Sequence, residues 1–175
     1  MKRLSIVTVA LSLIAVGCSS SSPATPTSPT KPTFTATLMP ANEVPPVSNA
    51  ESSGSGNVTI TFDITRDAQN NITAGTATFV VNLNGYPAGT PVNIAHIHQA
   101  PAGTNGSIIF NTQLSAGDST ILTNGAGSFT KAGIPPSGGL PIMQQILDNP
   151  SGFYFNVHSN LNPGGFSRGQ LVRVQ

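Results

Sequence analysis

The alternation of apolar and polar residues in short runs most constrains the fold of this chain. From residue 57 to residue 64, Val, Ile or Phe occupies every even position and Asn, Thr or Asp every odd one. A strand with this pattern has one apolar and one polar face, whereas a helix would need apolar residues three or four positions apart. The pattern predicts an all-β protein, an antiparallel sandwich or barrel. About eight strand-like runs occur, at residues 34–39, 56–65, 72–83, 92–98, 107–114, 119–130, 152–158 and 168–174.

Turn-forming residues separate these runs and leave room for one helix. Asn84-Gly85 is typical of a tight turn, and Asn124-Gly125 could split the run 119–130 into a hairpin. Glycine and proline predict a loop over residues 133–139. One short helix is predicted after it, because Pro141 suits a first helical turn and Asn149-Pro150 would end the helix.

Residues 1–17 have the organisation of a secretory signal peptide. Basic residues precede an apolar run over 4–16 that is too short for a permanent membrane span. The Gly17-Cys18 junction resembles the lipobox of bacterial lipoproteins, in which the cysteine is lipidated and becomes the new N-terminus. Ala15 stands where that pattern most often has leucine, so an ordinary signal peptide with an incidental cysteine is the alternative. Ser19, rather than aspartate, follows the cysteine. By resemblance to Gram-negative lipoproteins this suggests a lipid anchor in the outer membrane of a bacterial cell envelope, with a Gram-positive cell surface as the alternative.

The rest of the chain divides into a linker and one domain. Residues 18–33 are mainly Ser, Thr, Pro and Ala, without a large apolar side chain to offset the entropy of ordering. We therefore expect a disordered tether there. Residues 34–175 are enough for one hydrophobic core. Cys18 is the only cysteine, so no disulfide can form within the chain.

The charge composition excludes some partners. Only 7% of the residues are charged, against about 25% in typical proteins. The formal net charge is +1 and no run of Lys or Arg occurs, which argues against nucleic acid and against non-specific binding to anionic lipid. A surface made of neutral Thr, Ser, Asn and Gln fits an exported β-protein.

The three histidines are candidate metal ligands. Strand alternation would turn His96 and His98 to one face, and would place His158 on the face of its own strand opposite the apolar residues. Three imidazoles suit copper or zinc and leave a coordination position open. Asn156 is a candidate for orienting a ring through a hydrogen bond. Alternatively, the histidines are solvated side chains on a sheet surface and Asn156 serves a turn.

Other functional classes have less support in the sequence. There is no nucleophile-elbow pattern, and the six acidic residues are scattered. No general acid or base is identifiable, so the sequence favours a binding protein over an enzyme. The alternative to a metal-binding protein is a structural module of the cell surface that presents neutral loops to a protein or glycan partner.

Several motifs together resemble the chordin-domain (CHRD) family. The likeness covers nearly all of residues 34–175 in the right order, and the combination is specific. The resemblance implies a Greek-key β-sandwich and a relation to the copper/zinc superoxide dismutase sandwich. It does not imply dismutase activity, because that enzyme uses more histidines and an aspartate in a binuclear site. The motifs are Phe34 to Leu38, Asn42 to Val47, His96-Ile97-His98 with Gly103 to Gly106, Asn156-Val157-His158, Asn162 to Gly165 and Arg168 to Leu171.

The closing motif departs from the family pattern. Members commonly read Gly-Glu-Ile-Arg-Gly-Gln, whereas here Phe166 and Ser167 stand between Gly165 and Arg168. Any role of that glutamate as a ligand or hydrogen-bond partner is therefore absent. Arg168 remains, and we expect it to share the outward face with the histidines and to support the metal site.

Overall fold

The computed structural model describes residues 31–175. The predicted signal peptide 1–17, the lipidation site Cys18 and most of the predicted linker lie outside these residues. The described part contains eleven strands, one α-helix and five short 3-10 helices. The all-β prediction with one short helix is confirmed.

The strands form two main antiparallel sheets and a small third one. The five-stranded sheet has the order β11-β1-β2-β3-β8, the four-stranded sheet has the order β10-β9-β5-β6, and β4 pairs only with β7. The strands are β1 (Thr33–Leu38), β2 (Ser55–Arg66), β3 (Ile72–Asn84), β4 (Thr90–Val92), β5 (Ile94–Gln99), β6 (Ser107–Asn111), β7 (Thr120–Leu122), β8 (Gly127–Ile134), β9 (Phe153–His158), β10 (Ser167–Gln170) and β11 (Val172–Arg173).

Aromatic side chains join the two main sheets face to face. Phe79 of β3 has its ring centroid 5.4 Å from that of Phe110 in β6 and 5.9 Å from that of Phe155 in β9. Phe62 of β2 lies 6.3 Å from Phe110. All four rings are fully buried, and such pairs contribute about 0.5–1.5 kcal/mol beyond the burial of their area. The even positions predicted to face the core from residue 58 to residue 62 are buried as expected.

The single helix α1 (Leu140–Asp148) begins and ends close to the predicted residues. Pro141 lies in its first turn, and Asn149 caps its C-terminus through a backbone hydrogen bond. The helix packs on β3, where Gly75 leaves space for the sulfur of Met143. Within residues 31–175 no helix is long and apolar enough to cross a membrane.

Two local predictions were wrong. The run 119–130 is indeed split around Asn124, but its halves form no hairpin, because β7 pairs with β4 and β8 pairs with β3. The predicted loop at 133–139 starts late, because β8 continues to Ile134. Gly133, at φ 69°, lies where the register between β3 and β8 shifts, so a bulge accommodates the glycine that had suggested a loop.

Candidate metal centre

The metal-site candidates lie on the central strands of the four-stranded sheet. β5 and β9 are antiparallel neighbours, and their register places His96 opposite Asn156 and His158 opposite Ile94. Alternation turns Ala95 and Ile97 into the core and the two β5 histidines to the other face. The ring centroid of His96 lies 5.5 Å from that of His98 and 4.9 Å from that of His158, and the centroids of His98 and His158 are 6.2 Å apart. The structure thus brings all three predicted ligands together.

These histidines face away from the core but are not solvated. Their exposed fractions are 6%, 8% and 7% for His96, His98 and His158, so the alternative of solvent-facing rings is wrong. Segments 40–53, 100–106 and 159–165, here called the covering loops, supply hydrogen-bond partners to Arg168, His98 and His158 on this face. Hydrogen bonds tie the covering loops together, as between the Asn105 amide and the Val44 carbonyl. All six residues of β9 are therefore buried, which alternation alone does not predict.

Backbone carbonyls orient two of the rings. His98 Nδ1–H donates to the Gly106 oxygen at 3.0 Å, and His158 Nδ1–H donates to the Pro163 oxygen at 3.0 Å. Because a carbonyl only accepts, the neutral rings carry their protons on Nδ1 and their lone pairs on Nε2. Nε2 of His158 lies 3.2 Å from Nδ1 of His96. Nε2 of His98 is buried and has no hydrogen-bond partner among residues 31–175.

Burial keeps the imidazoles neutral. It lowers the pKa of His96 from 6.5 to about 4, with a further contribution from repulsion by His158 and His98. Burial also lowers the pKa of His98 and of His158, although the hydrogen bonds to Gly106 and Pro163 oppose the shift. Neutral imidazole is the form that binds a metal ion. At neutral pH the cluster therefore offers unprotonated nitrogens.

The geometry fits one metal ion. The potential ligand nitrogens of the three histidines all lie within 4.8 Å of one another. Two nitrogens on a tetrahedral ion with bonds of about 2.0–2.1 Å are about 3.3 Å apart, close to the 3.2 Å between His96 and His158. A buried nitrogen without a partner, as in His98, costs free energy that a metal bond would remove. For both close nitrogens to face an ion, the His96 proton must reside on Nε2.

A β-bulge lies beside the cluster. Ile97 pairs with Phe110, but the next residue, His98, pairs with Ile108, so Ile109 is an extra residue in β6. Bulges bend a strand and redirect neighbouring side chains, and they are common next to functional sites.

A family match agrees with this arrangement. The CHRD domain family model matches residues 34–171, which include every residue of the cluster. The chain belongs to the CHRD domain family. No curated protein and no solved structure matches the chain. The resemblance found in the sequence is therefore confirmed for the family, and the relation to the superoxide dismutase sandwich stays a prediction.

The CHRD domain places an aromatic ring and a cation next to His98. The Tyr154 ring stacks on His98 with centroids 4.8 Å apart and an interplanar angle of 6°. On the adjacent strand β10, the guanidinium carbon of Arg168 lies 4.6 Å from the centroid of the Tyr154 ring. The Tyr154 hydroxyl accepts a hydrogen bond from the Gly106 amide, whose carbonyl orients His98. Sequence reasoning missed Tyr154, although its alternation with Asn156 and His158 was a usable signal.

Arg168 is anchored by the covering loops of the CHRD domain. Its Nε donates to the Asn42 oxygen at 2.7 Å, and its Nη1 donates to Asn105 Oδ1 at 2.9 Å. Glu43 Oε2 lies 3.5 Å from Nε. Burial raises the pKa of Glu43 to about 7, although the charge of Arg168 opposes the shift. Arg168 thus reaches the site through Tyr154, and none of its hydrogen bonds within residues 31–175 goes to a histidine.

Asn156 lies between His96 and Arg168 in the register of the sheet. It is buried, and its Oδ1 has no hydrogen-bond partner within the described residues. Among the hydrogen bonds of the described residues, none joins Asn156 to a histidine ring. The groups that orient the rings are backbone carbonyls, which carry no signature in the sequence.

Glu51 is a further buried residue that sequence reasoning missed. Its Oε2 accepts hydrogen bonds from the Ser159 hydroxyl and the Asn162 amide. These residues belong to the loop that supplies the Pro163 carbonyl to His158. Glu51 therefore holds the covering loop in place without contacting the histidine cluster.

Proposed function

We propose that this CHRD domain protein binds one copper or zinc ion through His96, His98 and His158, and that a lipid on Cys18 anchors it to the bacterial envelope. The protein would handle metal outside the cytoplasm. Asn156 and Arg168 would support the site from the same face of the sheet.

One observation carries the metal-binding proposal. Three buried imidazoles from two strands converge so closely that their ligand nitrogens lie within 4.8 Å of one another, and His98 Nε2 has no hydrogen-bond partner in the described part of the chain. A purely structural cluster would be expected to satisfy its buried nitrogens within the protein. Bound there, the metal would supply a Lewis acid or redox centre; the histidines would hold it, and the covering loops would exclude bulk water.

Isothermal titration calorimetry of the full chain in mild detergent tests metal binding. We expect one Cu(I), Cu(II) or Zn(II) ion per chain, and loss of binding in His98→Ala. Gln99→Ala is the matched control, because Gln99 is the exposed neighbour of His98 on β5. Equal binding by the wild type and His98→Ala would refute the site, and a protein without metal binding would fit the surface-module alternative.

The lipid anchor is supported by the signal-peptide organisation and by the Gly17-Cys18 junction. Two acyl chains attached at one site give stable membrane binding. Fractionation of cells tests this part, with Cys18→Ser compared with Ser21→Ala as the control. We expect the Cys18→Ser protein to leave the membrane pellet, and a density gradient to place the wild type in the outer membrane. Retention of Cys18→Ser in the membrane would contradict the anchor.

A further inference from the structure

We propose that the three-histidine site selects Cu(I) over Zn(II) and Cu(II). This inference rests on the proposed metal-binding function and specifies which ion is bound. Neither the family match nor the sequence distinguishes copper from zinc.

The donor set carries no negative charge. The three ligands are neutral imidazoles, and the groups that orient His98 and His158 are backbone carbonyls rather than carboxylates. All six acidic residues lie within the described residues, and none joins the group of ligand atoms. Glu43 faces Arg168, and Glu51 is occupied by the Ser159 hydroxyl and the Asn162 amide. The site would therefore carry the full charge of its ion.

Because the site is buried, the charge of the ion strongly affects the free energy of placing it there. The ligands are 6–8% exposed, and the cost of moving an ion from water into a medium of low dielectric constant grows with the square of its charge. A divalent ion in this neutral cage would cost about four times as much as a monovalent ion of the same size. Many sites for divalent ions offset part of this cost with anionic ligands, or with carboxylates hydrogen-bonded to the ligating histidines.

Arg168 adds a fixed positive charge on the same side. Its guanidinium lies against Tyr154, which in turn stacks on His98. The guanidinium is therefore on the order of 10 Å from the His98 ring. It repels a divalent ion twice as strongly as a monovalent one. Glu43 compensates this charge only in part, because it is 3.5 Å away and burial disfavours its ionised form.

The coordination geometry points the same way. With three histidines Zn(II) would need a water molecule as its fourth ligand, and Cu(II) prefers a square-planar or tetragonal set of ligands. Within residues 31–175 the group contains only the three histidines. The hydroxyl of Tyr154, whose ring stacks on His98, already accepts a hydrogen bond from the Gly106 amide. Trigonal coordination by three imidazoles is a common arrangement for Cu(I).

Anaerobic competition titrations of the full chain in mild detergent test the selection. Cu(I) is titrated against bathocuproine disulfonate, and Zn(II) against a chromophoric zinc chelator, at the same pH. We expect a dissociation constant for Cu(I) at least a hundredfold lower than that for Zn(II). We also expect a Cu(II)/Cu(I) midpoint potential above that of aqueous copper by voltammetry.

The outcomes separate the inference from the function on which it rests. If Zn(II) binds as tightly as Cu(I), and His98→Ala loses both, the selection is wrong and the metal site stands. If no ion binds, both are wrong. Arg168→Gln should narrow the ratio of the two dissociation constants about tenfold, whereas Arg168→Lys should preserve it. The wild-type ratio decides the inference even if Arg168→Gln does not fold.

Discussion

Protonation of the buried histidines should destabilise the metal-free protein in mild acid. Burial lowers the pKa of His96 from 6.5 to about 4. Between these values the unfolded state binds more protons than the folded state, so the free energy of unfolding falls as the pH falls. A shift of this size corresponds to about 3 kcal/mol by pH 4. That is a large part of the roughly 5–15 kcal/mol by which domains are stable.

A variant is needed to isolate this effect, because another buried group acts in the opposite direction. Burial raises the pKa of Glu43 to about 7. The folded state therefore binds a proton more readily at this carboxyl, and acid stabilises it there. His96→Asn is neutral at all pH values and keeps Glu43, so the contribution of Glu43 cancels when the variant is compared with the wild type.

The assay is urea unfolding followed by circular dichroism at pH 7, 6, 5 and 4 in the presence of a chelator. We expect the free energy of unfolding of His96→Asn, relative to the wild type, to increase by about 3 kcal/mol between pH 7 and pH 4. A difference that stays constant over this range would mean that His96 titrates normally in the folded protein. The burial argument would then be refuted.

Four further changes test the scaffold and the site. Phe110→Ala should lower the free energy of unfolding by about 3–5 kcal/mol in urea, because a ring between the sheets is lost; a loss under about 1 kcal/mol would contradict its bridging role. Gly165→Ala should cost about 1–3 kcal/mol, because Gly165 has φ 125° and an added Cβ would collide with the Asn156 amide; unchanged stability would refute the collision. Glu51→Ala should cost about 1–3 kcal/mol, since the Ser159 hydroxyl loses its acceptor and the Asn162 side-chain amide keeps only Asn49, and Glu51→Gln should cost less. Copper at about a hundred times its dissociation constant should raise the free energy of unfolding by about 2.7 kcal/mol, reversibly with a chelator and not in His98→Ala.

Much of the secondary structure could be predicted because it is local. β2 and β3 follow period-two alternation, and α1 is bounded by Pro141 and Asn149 as expected. The short strands β4 and β7 were harder, because three residues do not establish a period. Their pairing with each other, in place of the expected hairpin at Asn124, is decided by contacts between distant parts of the chain.

The sequence by itself determined the sandwich and the direction of each histidine, because alternation along a strand follows from backbone geometry and needs no partner. Only the tertiary structure decided that the histidines meet and that they are buried. The meeting depends on the register of β5 against β9, and the burial depends on loops that are held by residues such as Glu51 and Arg168. The paired residues of β5 and β9 are about 54 to 64 positions apart, and those joined by Glu51 and Arg168 are more than 100 apart. The groups that orient two of the rings are backbone carbonyls, which every residue has. The chemistry of the site therefore depends on long-range packing that local patterns do not encode.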